Sequence, residues 1–232
     1  MHKASSSFFQ KRILTSFLFF LLLVTFGCHS MEGVSTTLMP EGKIALKRLV
    51  IIPFEDNIPE DEMGRMMSCP LCGAIFQTEK YTRADGAKVE DLFAEGLRES
   101  QRFTIVNSDN VAEVYRRVGA TFKGPLIEKL KIVGSELGAD GVLFGYIYRY
   151  RERKGYYYSV EKPASVAFDV HLIRASDGLI VWRGAFDKTQ MSLMENLFQL
   201  SSFFRWGLKW ITARELAEEG VTEILQTFPG IK

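Results

Sequence analysis

Cys69 and Cys72 stand in the run Cys69-Pro70-Leu71-Cys72-Gly73. Two thiolates at this spacing can meet one metal ion, as in one knuckle of a zinc ribbon. The sequence has no second such pair. Of its 3 histidines only His29 and His171 lie beyond residue 27. A four-ligand site within one chain is therefore poorly supplied, and the sequence assigns no metal and no cofactor. Haem attachment would need a histidine where Gly73 stands. Thioredoxin-like redox chemistry would need the pair at the start of a helix that follows a strand, whereas residues 55–86 read as irregular.

Asp169 and His171 lie two apart on one strand and hence on one face of it. Such a pair can orient an imidazole as a base, but no nucleophile elbow of the G-x-S-x-G type accompanies it. The reading is a polar strand face, with His171 dispensable for the fold. Tyr146, Tyr148 and Tyr150 alternate along another strand, and Tyr156, Tyr157 and Tyr158 follow close behind, interleaved with Arg149, Arg151, Arg153 and Lys154. Tyrosine and arginine are favoured at the centres of interfaces, so these six tyrosines are the candidate partner surface. A membrane-strand reading fails on Arg149 and Arg151, which would have to face lipid.

The remaining cysteine, Cys28, explains the compartment. Residues 1–12 carry Lys3, Lys11 and Arg12 and no acid. The 14 residues Ile13 to Phe26 are almost wholly apolar, short of the ~20 that cross a bilayer as a helix. A basic head, a short apolar run and a small residue before the cut are the marks of a signal peptide. Val24-Thr25-Phe26-Gly27-Cys28 resembles a lipobox, with Gly27 small before the cysteine. The resemblance implies cleavage before Cys28 and two or three acyl chains on it, palmitate among them. Two or more chains hold a protein stably to a membrane, at about 0.8 kcal/mol per buried methylene. His29, where inner-membrane lipoproteins have Asp, implies the outer membrane.

Export has two consequences. With Cys28 acylated, Cys69 and Cys72 are an even pair in an oxidising compartment, and a local disulfide is the preferred reading. Its small ring would contribute only about 2 kcal/mol. Losing Lys3, Lys11 and Arg12 also turns the balance of 29 basic to 28 acidic residues into 26 to 28. That balance gives no electrostatic reason to bind nucleic acid.

The elements that must position these residues follow from periodicity. Residues 1–27 are the signal and 28–46 a lipidated tether rich in Gly, Ser and Thr. Residues 47–232 form a single α/β domain with a C-x-x-C insertion at 55–86. Leu49 to Phe54 reads as a buried strand. Val89, Leu92, Phe93 and Leu97 form one stripe of a helix over 88–100. A short strand over 103–106 leads to a helix ending near Arg117, then a helix over 126–137 that Gly138 ends. Strands follow at 141–150, 165–174 and 179–186, the last two joined by the turn Ser176-Asp177-Gly178. Helices over 192–210 and 213–227 close the chain. The order β-α-β-α-α-β-β-β-α-α predicts a mixed sheet covered by helices.

Three passages in that order carry a family resemblance: RLVIIPFEDN, LFAEGLRESQRFTIVNSDNVAEV, and LGADGVLFGYIY followed by VAFDVHLIRASDGLIVWRGAF. Residues 47–188 resemble a periplasmic group that includes the curli-secretion lipoprotein, the lipoprotein activators of penicillin-binding proteins and the N-terminal domain of the Tol propeller protein. The resemblance implies the fold, the lipoprotein class, envelope-protein partners and homo-oligomers, and names no catalytic residue. The expectation is a non-catalytic assembly module. The alternatives are a curli-type channel subunit and a thiol- or metal-dependent protein using Cys69 and Cys72.

Overall fold

The computed structural model describes residues 33–38, 45–55, 63–156, 159–190 and 210–231, all within one compact unit that spans residues 32–232. The signal segment, Cys28, Tyr157, Tyr158 and the helix expected over 192–210, save Trp210, lie outside the described residues. Among the described residues no helix is long and apolar enough to cross a membrane.

The elements are β1 (Gly33–Leu38), β2 (Arg48–Ile51), β3 (Met66–Ser68), β4 (Ile75–Gln77), α1 (Arg83–Glu99), β5 (Thr104–Ile105), α2 (Ser108–Thr121), α3 (Leu126–Glu136), β6 (Gly141–Arg151), β7 (Lys154–Tyr156), β8 (Ser159–Lys162), β9 (Ser165–Arg174), β10 (Ile180–Thr189) and α4 (Ala213–Leu225). Six strands make one mixed sheet in the order β1-β10-β9-β6-β2-β5. Its centre is β6, antiparallel to β9 and parallel to β2.

Alternation along the strands divides the core into two layers. Leu49, Ile51, Leu143 and Ile147 pack with α1 and α4 through Phe93, Leu97, Leu216 and Ile224. Val50, Ile52, Val142 and Phe144 pack on the other side with α2 and α3 through Val111, Val118, Leu130 and Val133. The predicted class, a mixed sheet under helices, is the observed one. Local signals set the helix ends. Asn107 caps α2 through its side-chain oxygen. Thr82 and Asp85 cap each other's backbone at the head of α1, starting it at Arg83, five residues before the apolar stripe predicted.

Two departures bear on function. Gly33–Leu38, inside the stretch expected as tether, is an edge strand paired antiparallel with β10. Its Val34, Thr36 and Thr37 suit a strand, but six residues with a polar face show no signal apart from the partner strand. The insertion also contains an ordered hairpin, β3–β4, where Ser68 faces Ile75 and Met66 faces Gln77. The hairpin lies on the α2/α3 side of the sheet, with the Phe76 ring stacked on Tyr148 at 4.1 Å between centroids.

Candidate functional site

The turn between β3 and β4 is the C-x-x-C run. Gly73 adopts φ +74°, a conformation that a residue without Cβ takes at little cost. Its N–H donates to the Cys69 carbonyl at 2.9 Å, and the Cys69 N–H donates to the Ala74 carbonyl at 2.7 Å. The Leu71 N–H points back at the Cys69 Sγ at 3.3 Å. Both sulfurs are thereby turned to one side of the loop. The motif sits on a hairpin turn and not at a helix start, so it lacks the setting of a thioredoxin-like pair. The two sulfurs are not joined to each other in this structure.

The loop faces β9. Asp169 and His171 project from the sheet into the α2/α3 layer, between Ala167 and Ile173, which belong to the apolar core there. Cys69 Sγ lies 3.8 Å from His171 Nε2, and Cys72 Sγ lies 3.8 Å from Asp169 Oδ2. One ligand atom from each of the four residues falls within 4.8 Å of all the others. Cys69 is 2 % exposed, Asp169 1 % and His171 0 %. Cys72 is half-buried and borders a surface groove lined by Leu71, Ile127 and Arg183. The polar strand face predicted for the Asp–His pair is therefore a covered one. The hairpin and helices that bury it come from other parts of the chain.

Charge is strained in this cluster. Burial pushes the Asp169 carboxyl up to about 6, against the pull of His171. The Cys69 thiol is pushed far up, first by its hydrogen bond with Cys72, then by burial and the Asp169 charge. The same bond draws the Cys72 thiol well down in spite of burial, with His171 adding to it. Tyr148 donates its hydroxyl to Asp169 Oδ2 at 3.1 Å. Asp169 Oδ1 and His171 Nδ1 are buried without a hydrogen-bond partner among the described residues. Leaving such a group unsatisfied costs about 1–3 kcal/mol. The donor set of two sulfurs, a nitrogen and a carboxylate oxygen is one that a divalent transition metal accepts.

The candidate partner surface is corrected at three of its six positions. Tyr146, Tyr148 and Tyr150 are 9 %, 1 % and 5 % exposed. The hairpin and α2 cover the first two, while Tyr150 lies in the opposite layer with α1. A register shift between Ile147 and Arg149 is the reason: a bulge adds one residue and turns the strand's later side chains over. Arg149 is buried too. It pairs with Asp187 and donates to Ser165 Oγ at 2.5 Å and to the Gln77 carbonyl at 2.8 Å, tying β4 to the sheet. Tyr156, by contrast, is 83 % exposed, on the β7–β8 hairpin. The strands there are three and four residues long, far under the ~9–11 residues of a membrane-spanning strand.

No family model matches this sequence. None of the curated proteins matches it. Among solved structures, the chain is similar to a PelC dodecamer from Paraburkholderia phytofirmans, at 17% identity and TM-score 0.43 over 83% of this chain and 93% of that one. It is similar to the C-terminal domain of LpoB from Escherichia coli, at 14% identity and TM-score 0.37 over 65% and 87%. It is also similar to lipoprotein GNA1162 from Neisseria meningitidis, at 13% identity and TM-score 0.40 over 68% and 91%.

Proposed function

We propose that this protein is a lipid-anchored module of the bacterial envelope, acylated at Cys28 in the outer membrane, whose folded domain binds other envelope proteins or further copies of itself and catalyses no reaction. The observation that carries this reading is the distribution of reactive and exposed groups. The cluster of thiols, carboxylate and imidazole is largely inside the fold, three of its four members at most 2 % exposed, and only Cys72 borders a surface groove. Among the described residues Tyr156 is the most exposed of the large apolar side chains, on a two-stranded hairpin separate from the main sheet. An exposed tyrosine gives large contact area at low entropic cost. The lipobox-like run before Cys28 supports the anchor, and only four residues separate Cys28 from β1. Tyr157 and Tyr158 follow Tyr156 in the sequence.

The anchor is tested by mass spectrometry of the mature N-terminus and by fractionation of a Cys28→Ala variant. Acyl chains on Cys28, and release of the variant from the membrane, are expected. An unmodified Cys28 would overturn the anchor. The module is tested by placing a photo-crosslinking amino acid at Tyr156 in cells. Discrete adducts with an envelope protein, or with a second copy, are expected. No adduct from Tyr156 or its two neighbours, with the protein folded, would overturn the surface.

A further inference from the structure

We propose that Cys69, Cys72, Asp169 and His171 bind one zinc ion, and that this ion pins the β3–β4 hairpin to the central sheet. The inference does not depend on the lipid at Cys28 or on the choice of partner.

The geometry needs little adjustment to accept the ion. A zinc ion with bonds of ~2.3 Å to sulfur and ~2.0–2.1 Å to nitrogen or oxygen sets its ligands about 3.3–3.8 Å apart. The two measured cross-pairs, Cys69 Sγ to His171 Nε2 and Cys72 Sγ to Asp169 Oδ2, are both 3.8 Å, and the widest separation is within 4.8 Å. The loop is already in the form of a metal knuckle: a glycine in the left-handed region after the second cysteine and an N–H aimed at the first sulfur. The unpartnered Asp169 Oδ1 and His171 Nδ1 are a second, independent observation. The two atoms lie 4.0 Å from each other, too far for a hydrogen bond, and buried polar groups left so call for an explanation such as a bound ion.

The donors select the ion. Two sulfurs exclude calcium and magnesium, which take oxygen ligands. A carboxylate is a poor donor for copper(I), which prefers thiolate and thioether. Two sulfurs, one nitrogen and one oxygen suit tetrahedral zinc. The thiol protons pass to solvent as the ion binds, and two thiolates with one carboxylate then offset its charge. Four protein ligands leave no open position, so the site is structural and not catalytic. Tyr148 is the supporting residue, holding the Asp169 carboxylate by its hydroxyl.

The alternative fate of Cys69 and Cys72 is a disulfide across the turn. That bond would leave Asp169 and His171 buried against each other with neither sulfur available.

The test uses the full chain, purified in detergent without chelator. Metal content is measured by elemental mass spectrometry and zinc affinity by competition with a chromophoric chelator. One zinc per chain is expected. Asp169→Asn and Cys72→Ser should each weaken zinc binding by more than about tenfold, the lower range for loss of a supporting group. Cobalt exchanged into the unmodified protein should give the visible bands of a tetrahedral ion with thiolate charge transfer, a readout free of any variant's folding. A Cys69–Cys72 disulfide mapped by non-reducing peptide analysis would overturn the proposal. Two reduced thiols that take up no zinc or cobalt on reconstitution would also overturn it. So would unchanged affinity in Asp169→Asn.

Discussion

Cys69 Sγ lies 3.8 Å from His171 Nε2 although 102 positions separate the two residues in the chain. The first sits on the turn of a hairpin whose strands have three residues each, the second on a ten-residue strand beside the middle of the main sheet. A hairpin that short has almost no stability of its own. Its position on the sheet depends on what fixes it there.

Removing zinc should therefore loosen the hairpin before the rest of the fold. The Cys69 and Gly73 amides, bonded within the turn, should exchange with solvent at least about tenfold faster in chelator, while amides of β6 and β9 keep their protection. Hydrogen exchange read by mass spectrometry checks this. Equal protection with and without chelator would mean that packing alone holds the hairpin.

Tyr148→Phe removes the hydroxyl that donates to Asp169 Oδ2 while keeping the ring stacked on Phe76. A hydrogen bond to a charged group is worth about 1.5–3 kcal/mol, and loss of a supporting group costs roughly 10–100-fold in metal affinity. The variant should lose stability in urea and bind zinc more weakly. A variant as stable as the parent, with unchanged affinity, would mean that the hydroxyl supports nothing.

Arg149 ties the other end of the hairpin, through the Gln77 carbonyl, and pairs with Asp187 across the sheet. Truncation to Ala leaves that carboxylate without its cation. Because Asp187 is 26% exposed, the cost should fall at or below the ~3–5 kcal/mol of a fully buried pair. Arg149→Lys should recover only part of it, since an ammonium cannot reach Ser165, Gln77 and Asp187 together. Chemical denaturation of the three proteins gives the ranking, and equal stability of the Ala and Lys variants would contradict it.

Gly220 faces the sheet from α4, and a Cβ there would come within 2.6 Å of the Phe186 ring. Glycine to alanine inside a helix normally gains about 1 kcal/mol. Here the methyl would meet the base of a buried ring, and overpacking of that kind costs roughly 1–3 kcal/mol. Gly220→Ala should lower the melting temperature, and a rise would show that α4 can back away.

Glu90 accepts the Phe54 N–H at 3.1 Å, and burial holds its carboxyl above the ordinary glutamate range. Between its ordinary and its raised value the folded chain keeps a proton that the unfolded chain has lost. Stability from this group is therefore full below the ordinary value, falls as pH climbs through that window, and stays reduced above it. Glu90→Gln should match the parent near pH 4 and exceed it at pH 7. Denaturation at the two pH values decides, and a variant that is weaker at pH 7 would reverse the sign.

The sequence alone fixed what depends on neighbours along the chain. The apolar stripe of α1, the Gly138 stop after α3, the turn at Ser176-Asp177-Gly178 and the apolar run of β2 are all local, and each element stands near its expected place. The C-x-x-C run was legible as a knuckle for the same reason, and Asp169 with His171 as a same-face pair. What could not be read was their union. Nothing within a few residues of Cys69 tells which strand its hairpin lies against, and nothing near Asp169 tells that its face is covered. The one faint signal was two polar residues, Asp169 and His171, set into an otherwise apolar strand. Tyr146, Tyr148 and Tyr150 went astray through the same blindness. Alternation assigns a face only while the register is unbroken, and the bulge after Ile147 arises from pairing with β9. Burial is settled by elements distant in sequence, so tertiary structure alone decided that two motifs read as separate are one four-residue site.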